Sequence, residues 1–127
     1  MLNYKIKFNQ YKKKLRYHLT SCGGQEIITY SLVSVEMKEE VGEKRTRPFY
    51  QLVMPKSEQH KFYRQTLVPS HLNIIKHNLA YGNRNLFFFE ISTIYDPSAS
   101  EELLILSGMG KIVNQSFHSW VHWLDFY

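Results

Sequence analysis

Residues 64–95 read Arg64-Gln-Thr-Leu-Val-Pro-Ser-His-Leu-Asn-Ile-Ile-Lys-His-Asn-Leu-Ala-Tyr-Gly-Asn-Arg-Asn-Leu-Phe-Phe-Phe-Glu-Ile-Ser-Thr-Ile-Tyr95. Val68, Leu72, Ile75 and Leu79 recur at i, i+4, i+7 and i+11, one apolar stripe of an amphipathic helix. Pro69 suits the first helical position, where its missing N–H is not needed. Gly82 is a helix stop, and Asn83-Arg84-Asn85 completes a turn. Leu86 to Tyr95 is apolar on both faces, which predicts a central strand covered from both sides. Glu90 interrupts it. A buried carboxylate needs a partner or a cavity, and Arg64 and Arg84 are the candidate partners.

Working outward, Tyr11, Leu15, Leu19 and Cys22 share one face of a helix that Gly23-Gly24 ends. Residues 1–9 are set aside as a basic arm. Gln25 to Val33 is short and rich in β-branched and aromatic residues, so it reads as a strand with Ile28, Tyr30 and Leu32 on one face. Val35 to Arg47 predicts a weak helical turn followed by an exposed loop, and Pro48 discourages helix at Arg47. Phe49 to Met54 is a second short strand. Ser57 to Arg64 is a turn plus one helical turn that Ser57 can cap. Asp96-Pro97-Ser98 is a turn, and Leu103 to Met109 is a further strand. Phe117 to Tyr127 is strongly aromatic and fits helix or strand. The chain stops inside this apolar run, as a fragment of a larger protein would.

The chain has 127 residues, the length of one domain, with nine Tyr and eight Phe that favour a sheet. Its charge of +5 is uneven. Lys5, Lys7, Lys12, Lys13, Lys14 and Arg16 all precede the first acid, Glu26. An acid-free basic end suits RNA or an acidic protein surface, and equally a solvated helix face. Lys12, Lys13, Lys14 and Arg16 are the candidate nucleic-acid contacts. Cys22 is the only cysteine, which excludes an internal disulfide and a Cys-based metal site. No apolar run is long enough to span a bilayer, no signal peptide is evident at the start, and a reducing, cytoplasmic setting is expected.

Catalytic constellations are thin. His118 and His122, four apart, would share a helix face, but they lack the Glu and the third ligand of a zinc-hydrolase helix, so no metal is expected. Cys22 on an apolar helix face reads as packing. Ser107-Gly-Met-Gly-Lys111 lacks the first Gly and the final Ser/Thr of a phosphate loop. The residues alone define an α+β domain without a catalytic constellation.

Several segments, in order, resemble the core domain of the β subunit of bacterial phenylalanyl-tRNA synthetases. Gln25-Glu26-Ile27-Ile28-Thr29-Tyr30-Ser31-Leu32 after a helix and glycine is similar to that family's Gln-Glu-Val-Ile-Thr-Tyr-Ser-Leu. Met54-Pro55-Lys56-Ser57 resembles Asn-Pro-x-Ser. Residues 64–72 resemble Arg-Thr-Ser-Leu-Leu-Pro-Gly-Leu-Leu. His77-Asn78 resembles Tyr-Asn, Phe89-Glu90-Ile91-Ser92 resembles Phe-Glu-Ile-Gly, and Leu124-Asp125-Phe126-Tyr127 resembles Val-Asp-Phe-Tyr. Ser92, Met54 and Ser70 depart from the pattern.

The resemblance implies an α+β fold, an antiparallel sheet flanked by helices of the class II synthetase type. It implies a non-catalytic module paired with an α subunit in a heterotetramer, with ATP, magnesium and phenylalanine handled by that subunit and tRNA met through the holoenzyme. No Lys or Arg lies between Asn85 and Lys111, where a catalytic class II subunit carries a phosphate-binding Arg. ATP would instead meet Glu90, Asp96, Glu101 and Glu102, so no ATP binding for catalysis is expected. Leu72, Ile75, Leu79, Trp120 and Trp123 are then the expected partner-facing residues. A stand-alone RNA-binding domain using the cluster from Lys5 to Arg16 is the alternative.

Overall fold

The computed structural model describes residues 2–40, 48–95, 97, 103–111 and 118–123. Helix α1 (Leu2–Ser21) leads to β1 (Gln25–Glu26), β2 (Leu32–Val33), helix α2 (Val35–Glu40), β3 (Phe62–Tyr63), helix α3 (Val68–Ala80), and β4 (Leu86–Ile94), β5 (Leu103–Lys111) and β6 (His118–Trp123). The main sheet has the order β1-β4-β5-β6, and β2 pairs with β3 in a second, two-stranded sheet. β4, β5 and β6 are antiparallel, but β1 joins β4 in parallel. The sheet is therefore mixed rather than wholly antiparallel. Among the described residues no helix is long and apolar enough to cross a membrane.

β4 is central, and its two faces are covered by different helices. Phe88 packs with Ile75 and Leu86 in a cluster that Val68, Leu72 and Leu79 of α3 join. Its neighbour Phe89 points the other way and packs against Leu15 and Leu19 of α1. The two-residue period of a strand thus sends consecutive phenylalanines into opposite layers. Leu67 and Ile94 form a third buried contact.

Both long helices end in the same device. Past α1, the Gly24 amide donates to the Leu19 carbonyl and the Gly23 amide to that of Thr20. Past α3, Asn83 donates to Asn78 and Gly82 to Leu79. These are Schellman pairs, and the left-handed residue in each is glycine, Gly23 at φ 88° and Gly82 at φ 84°. α1 begins at Leu2 rather than Tyr11, so residues 2–9 are its first two turns and not an arm apart from it. It contains no Gly or Pro to stop it earlier. Cys22 lies beyond the helix and is exposed, not packed.

Other expectations need correction. Residues 25–33 are not one strand but two short ones, and of the two faces the one with Ile27 and Thr29 turns inward. Ile28 is 90% exposed and Tyr30 76%, while Ile27 packs on the Ile75 cluster. The segment 49–54 is not a strand but forms a bridge from Gln51 to Phe62, with Leu52 donating to the Lys61 carbonyl and Tyr50 accepting from the Tyr63 amide. The expected helical turn before Arg64 is instead β3. His118 and His122 lie on strand β6. At about 3.3 Å per residue their backbones are about 13 Å apart, too far for one metal ion. Ser107 to Lys111 is part of β5, with Gly108 opposite Phe89, and is no loop. Residues 41–47, Asp96, Ser98, Phe117 and 124–127 lie outside the described residues.

Gly24 lies between α1 and β1 and has no room for a side chain. A Cβ there would lie 2.8 Å from the Leu19 carbonyl oxygen and 3.0 Å from the rings of both Phe87 and Phe89. Gly24→Ala should lower stability by about 1–3 kcal/mol through overpacking, measured by urea denaturation.

Candidate functional site

Glu90 stands at the middle of β4 with its carboxylate facing the place where the segment after β1 leaves the sheet. The parallel ladder continues one bond past β1, from the Ile27 amide to the Phe89 carbonyl at 2.9 Å. At Thr29 the ladder stops. The Thr29 amide donates instead to Glu90 Oε1 at 3.0 Å, and its hydroxyl lies 3.1 and 2.8 Å from the two carboxylate oxygens. A side chain has taken the place of a strand.

Arg64 holds the same crossing from the other side. Its Nη1 lies 2.6 Å from Thr29 Oγ1, 3.2 Å from the Tyr30 carbonyl and 3.5 Å from Glu90 Oε1. Nε donates to the Thr93 carbonyl at 3.0 Å, and Nη2 to Ser92 Oγ. Its own backbone joins Ser31 to Tyr95, accepting from the Tyr95 amide and donating to the Ser31 carbonyl. His71, in the first turn of α3, completes the cluster with Nε2 3.0 Å from Glu90 Oε2. Arg64, His71 and Glu90 are all buried, at 2%, 0% and 1% exposed. Glu90 is therefore paired with Arg64; Arg84 lies exposed in the turn before β4.

Burial by itself would raise the Glu90 carboxyl. Hydrogen bonds from His71 and Thr29 and the charge of Arg64 outweigh it and hold the group below its ordinary value of 4.5. Burial is also the largest influence on Arg64 and lowers it, opposed by the charges of Glu90 and Tyr95. The guanidinium stays protonated at neutral pH. Because a carboxylate only accepts, His71 Nε2 carries the proton in this contact, and buried Nδ1 has no hydrogen-bond partner among the described residues.

This cluster is a sealed ion pair. Its guanidinium, imidazole and carboxylate are all buried, at 2% exposure or less. A cation from 26 residues earlier in the chain, one of the two partners expected for it, neutralises Glu90. Sequence reasoning missed Thr29, His71 and Ser92. His71 carried one signal: it lies among Val68, Leu72 and Ile75 on the apolar face, where the family pattern has Leu.

The other candidate residues do not assemble around this point. Ile75 is 1% exposed and belongs to the domain's own core, which corrects its assignment to a partner surface; Leu72 and Leu79 are partly buried against it. Trp120 and Trp123 lie on β6, at register positions opposite Gly108 and Ile105. Of the α1 cations, Arg16 pairs with Glu26 at 2.7 Å and Lys12 lies 4.6 Å from the centre of the Phe8 ring. Lys13 and Lys14 are exposed. A cleft of about 650 Å³ opens beside Thr29, between Tyr30, His60, Glu36 and Ser70. Among the described residues no group of three His, Cys, Asp or Glu is placed to hold a metal.

The fold is similar to part of a synthetase. It superposes on PylSc of Desulfitobacterium hafniense, a pyrrolysyl tRNA synthetase, with a TM-score of 0.68 over 81% of this chain and 38% of the other, at 15% identity. Sequence narrows the class to a family. The profile of the phenylalanyl tRNA synthetase beta chain CLM domain matches residues 3–122, and the chain belongs to that family. It is 32% identical over 115 residues to the phenylalanine–tRNA ligase beta subunit of Staphylococcus epidermidis, covering 86% of this chain. To that of Lactococcus lactis it is 29% identical over 125 residues, covering 93%. It spans only 14% and 15% of those two relatives.

Removing the Glu90 charge strands Arg64. Glu90→Gln should cost about 3–5 kcal/mol at pH 7. The folded carboxyl holds its proton less readily than the unfolded one. The stability from this difference is therefore full above the ordinary value of 4.5 and drains as pH falls through the lowered folded value. Denaturation midpoints should fall with acid in the wild type and change less in Glu90→Gln.

Proposed function

We propose that this chain is a non-catalytic structural and assembly module of the β-subunit type. It would support an α subunit that joins phenylalanine to its tRNA with ATP and magnesium in the cytoplasm. Membership of the CLM-domain family supports this. The observation that carries it is the sealed cluster on β4. The central strand's acid is bound to Arg64, His71 and Thr29 and buried at 1% exposure. A buried, fully engaged pair stabilises one arrangement of segments and offers no proton or charge to a ligand.

The α subunit is the proposed partner, within a heterotetramer of the class II type, with tRNA met through the whole enzyme. Since Ile75 is spent in the core, β6 with Trp120 and Trp123 is the better candidate edge. Among the described residues β6 pairs on one side only, with β5, and an open strand edge is a ready interface.

Co-expression with a phenylalanine–tRNA ligase α subunit should give a stable complex. The chain alone should show no phenylalanine-dependent ATP–pyrophosphate exchange. Exchange by the chain alone, or a folded chain that never associates, would contradict the proposal.

A further inference from the structure

The cleft beside Thr29 plays no part in the assembly role. Three parts of the chain meet around it: the crossing segment with Tyr30 and Leu32, the start of α2, and the first turns of α3. Its volume of about 650 Å³ lies within the range of small-molecule sites. Leu32, Met37 and Ile74 give it apolar walls. Its most buried lining residues are two serines, Ser34 at 8% and Ser70 at 7% exposed. Tyr30 and His60 also line it, with ring centres 4.9 Å apart and planes at 69°, so the two rings form a corner. Ser57 Oγ lies 3.0 Å from His60 Nδ1 and holds the imidazole in place.

Charge selects the ligand. Glu36 is the one carboxylate on the lining, and no Lys or Arg accompanies it. Hydrogen bonds with Ser34 and with its own backbone hold its carboxyl below the ordinary 4.5, so it is ionised at neutral pH. Among the described residues no cation pairs with it. Lys38 of α2 is engaged elsewhere, 4.4 Å from the centre of the Phe62 ring and 5.5 Å from that of Phe49. An anionic ligand would meet a carboxylate here and no cation to offset it.

We propose that this cleft binds an organic ammonium. The charged head sits between Glu36 and the corner of Tyr30 and His60, and an apolar stem lies along Leu32, Met37 and Ile74. A carboxylate beside aromatic faces attracts a cation that has shed part of its water. The hydroxyls of Ser34 and Ser70 supply acceptors for its N–H groups. The same head exists on a free alkylamine and on a lysine side chain of another protein. The proposal stands on the cleft alone and is independent of the assembly role.

The test is a titration of the isotope-labelled full chain, followed by amide chemical shifts. The probes are n-hexylamine, 1-hexanol and hexanoate, which share one stem, and Nα-acetyl-lysine amide. The chain carries a charge of +5, so non-specific attraction would favour hexanoate. Hexylamine should bind about 10-fold tighter than hexanol or hexanoate, with shifts at Ser70, Asn73 and Ile74 and none along α1. Glu36→Gln should remove that advantage and leave hexanol binding unchanged. Tyr30→Ala, at a position 76% exposed, should weaken hexylamine by about 2- to 5-fold. Glu39→Gln, the neighbouring exposed acid of α2, is the charge-matched control. Acetyl-lysine amide binding as well as hexylamine would assign the head to a protein's lysine, and its exclusion would assign it to a free amine; either supports the site. Hexanoate binding as tightly as hexylamine, Glu36→Gln no weaker than Glu39→Gln, or no shifts around the cleft would each overturn the proposal.

Discussion

The structure turns on one carboxylate that replaces a strand. Up to Ile27 the chain follows β4 by backbone hydrogen bonds; at Thr29 the same role passes to the side chain of Glu90. Arg64 then takes hold of Thr29 and Tyr30 and delivers the segment to β2 and β3. Leaving a sheet inside a protein exposes backbone groups that must be satisfied. Two charged side chains do this here with many donors and acceptors each, which is why both can be buried. Desolvating an ion pair is costly, and the cost is offset only when the remaining hydrogen-bonding groups are also met. Thr29, Ser92, Thr93 and His71 meet them.

That crossing also sets the layers. With the segment gone from β4's edge after Ile27, α3 packs through Ile75 on the Phe88 side, and α1 reaches Phe89 from the other. Gly24 lets α1 come close enough to do so. The pair that organises this packing lies within it, at 2% and 1% exposure. Family membership and site geometry therefore point the same way: the fold of a synthetase, with its central carboxylate committed to structure.

Elements governed by local pattern were legible in the sequence. The α3 stripe, Gly82 and the two-faced apolar β4 follow from short-range rules and stand as expected, with Pro69 second in the helix rather than first. The need for a partner to Glu90 was legible too, and Arg64 was one of two candidates. The failures lie where distant segments decide. Residues 25–33 have strand propensity throughout, but only the position of Glu90 determines where the strand leaves the sheet and which face turns inward. β3 at Phe62–Tyr63 is defined by its pairing with β2, which no local signal announces. The charge on α1 is visible in the sequence, but the pairing of Arg16 with Glu26 beyond the helix is not.

The central claim is that Glu90 and Arg64 act as one unit. A double-mutant cycle tests it most directly, with Glu90→Leu, Arg64→Met and the double variant compared by urea denaturation at pH 7. Each single change should cost about 3–5 kcal/mol, and the double variant should be far less destabilised than their sum, with a coupling of about 2 kcal/mol or more. Additive losses would show that the two residues act separately and would contradict the account.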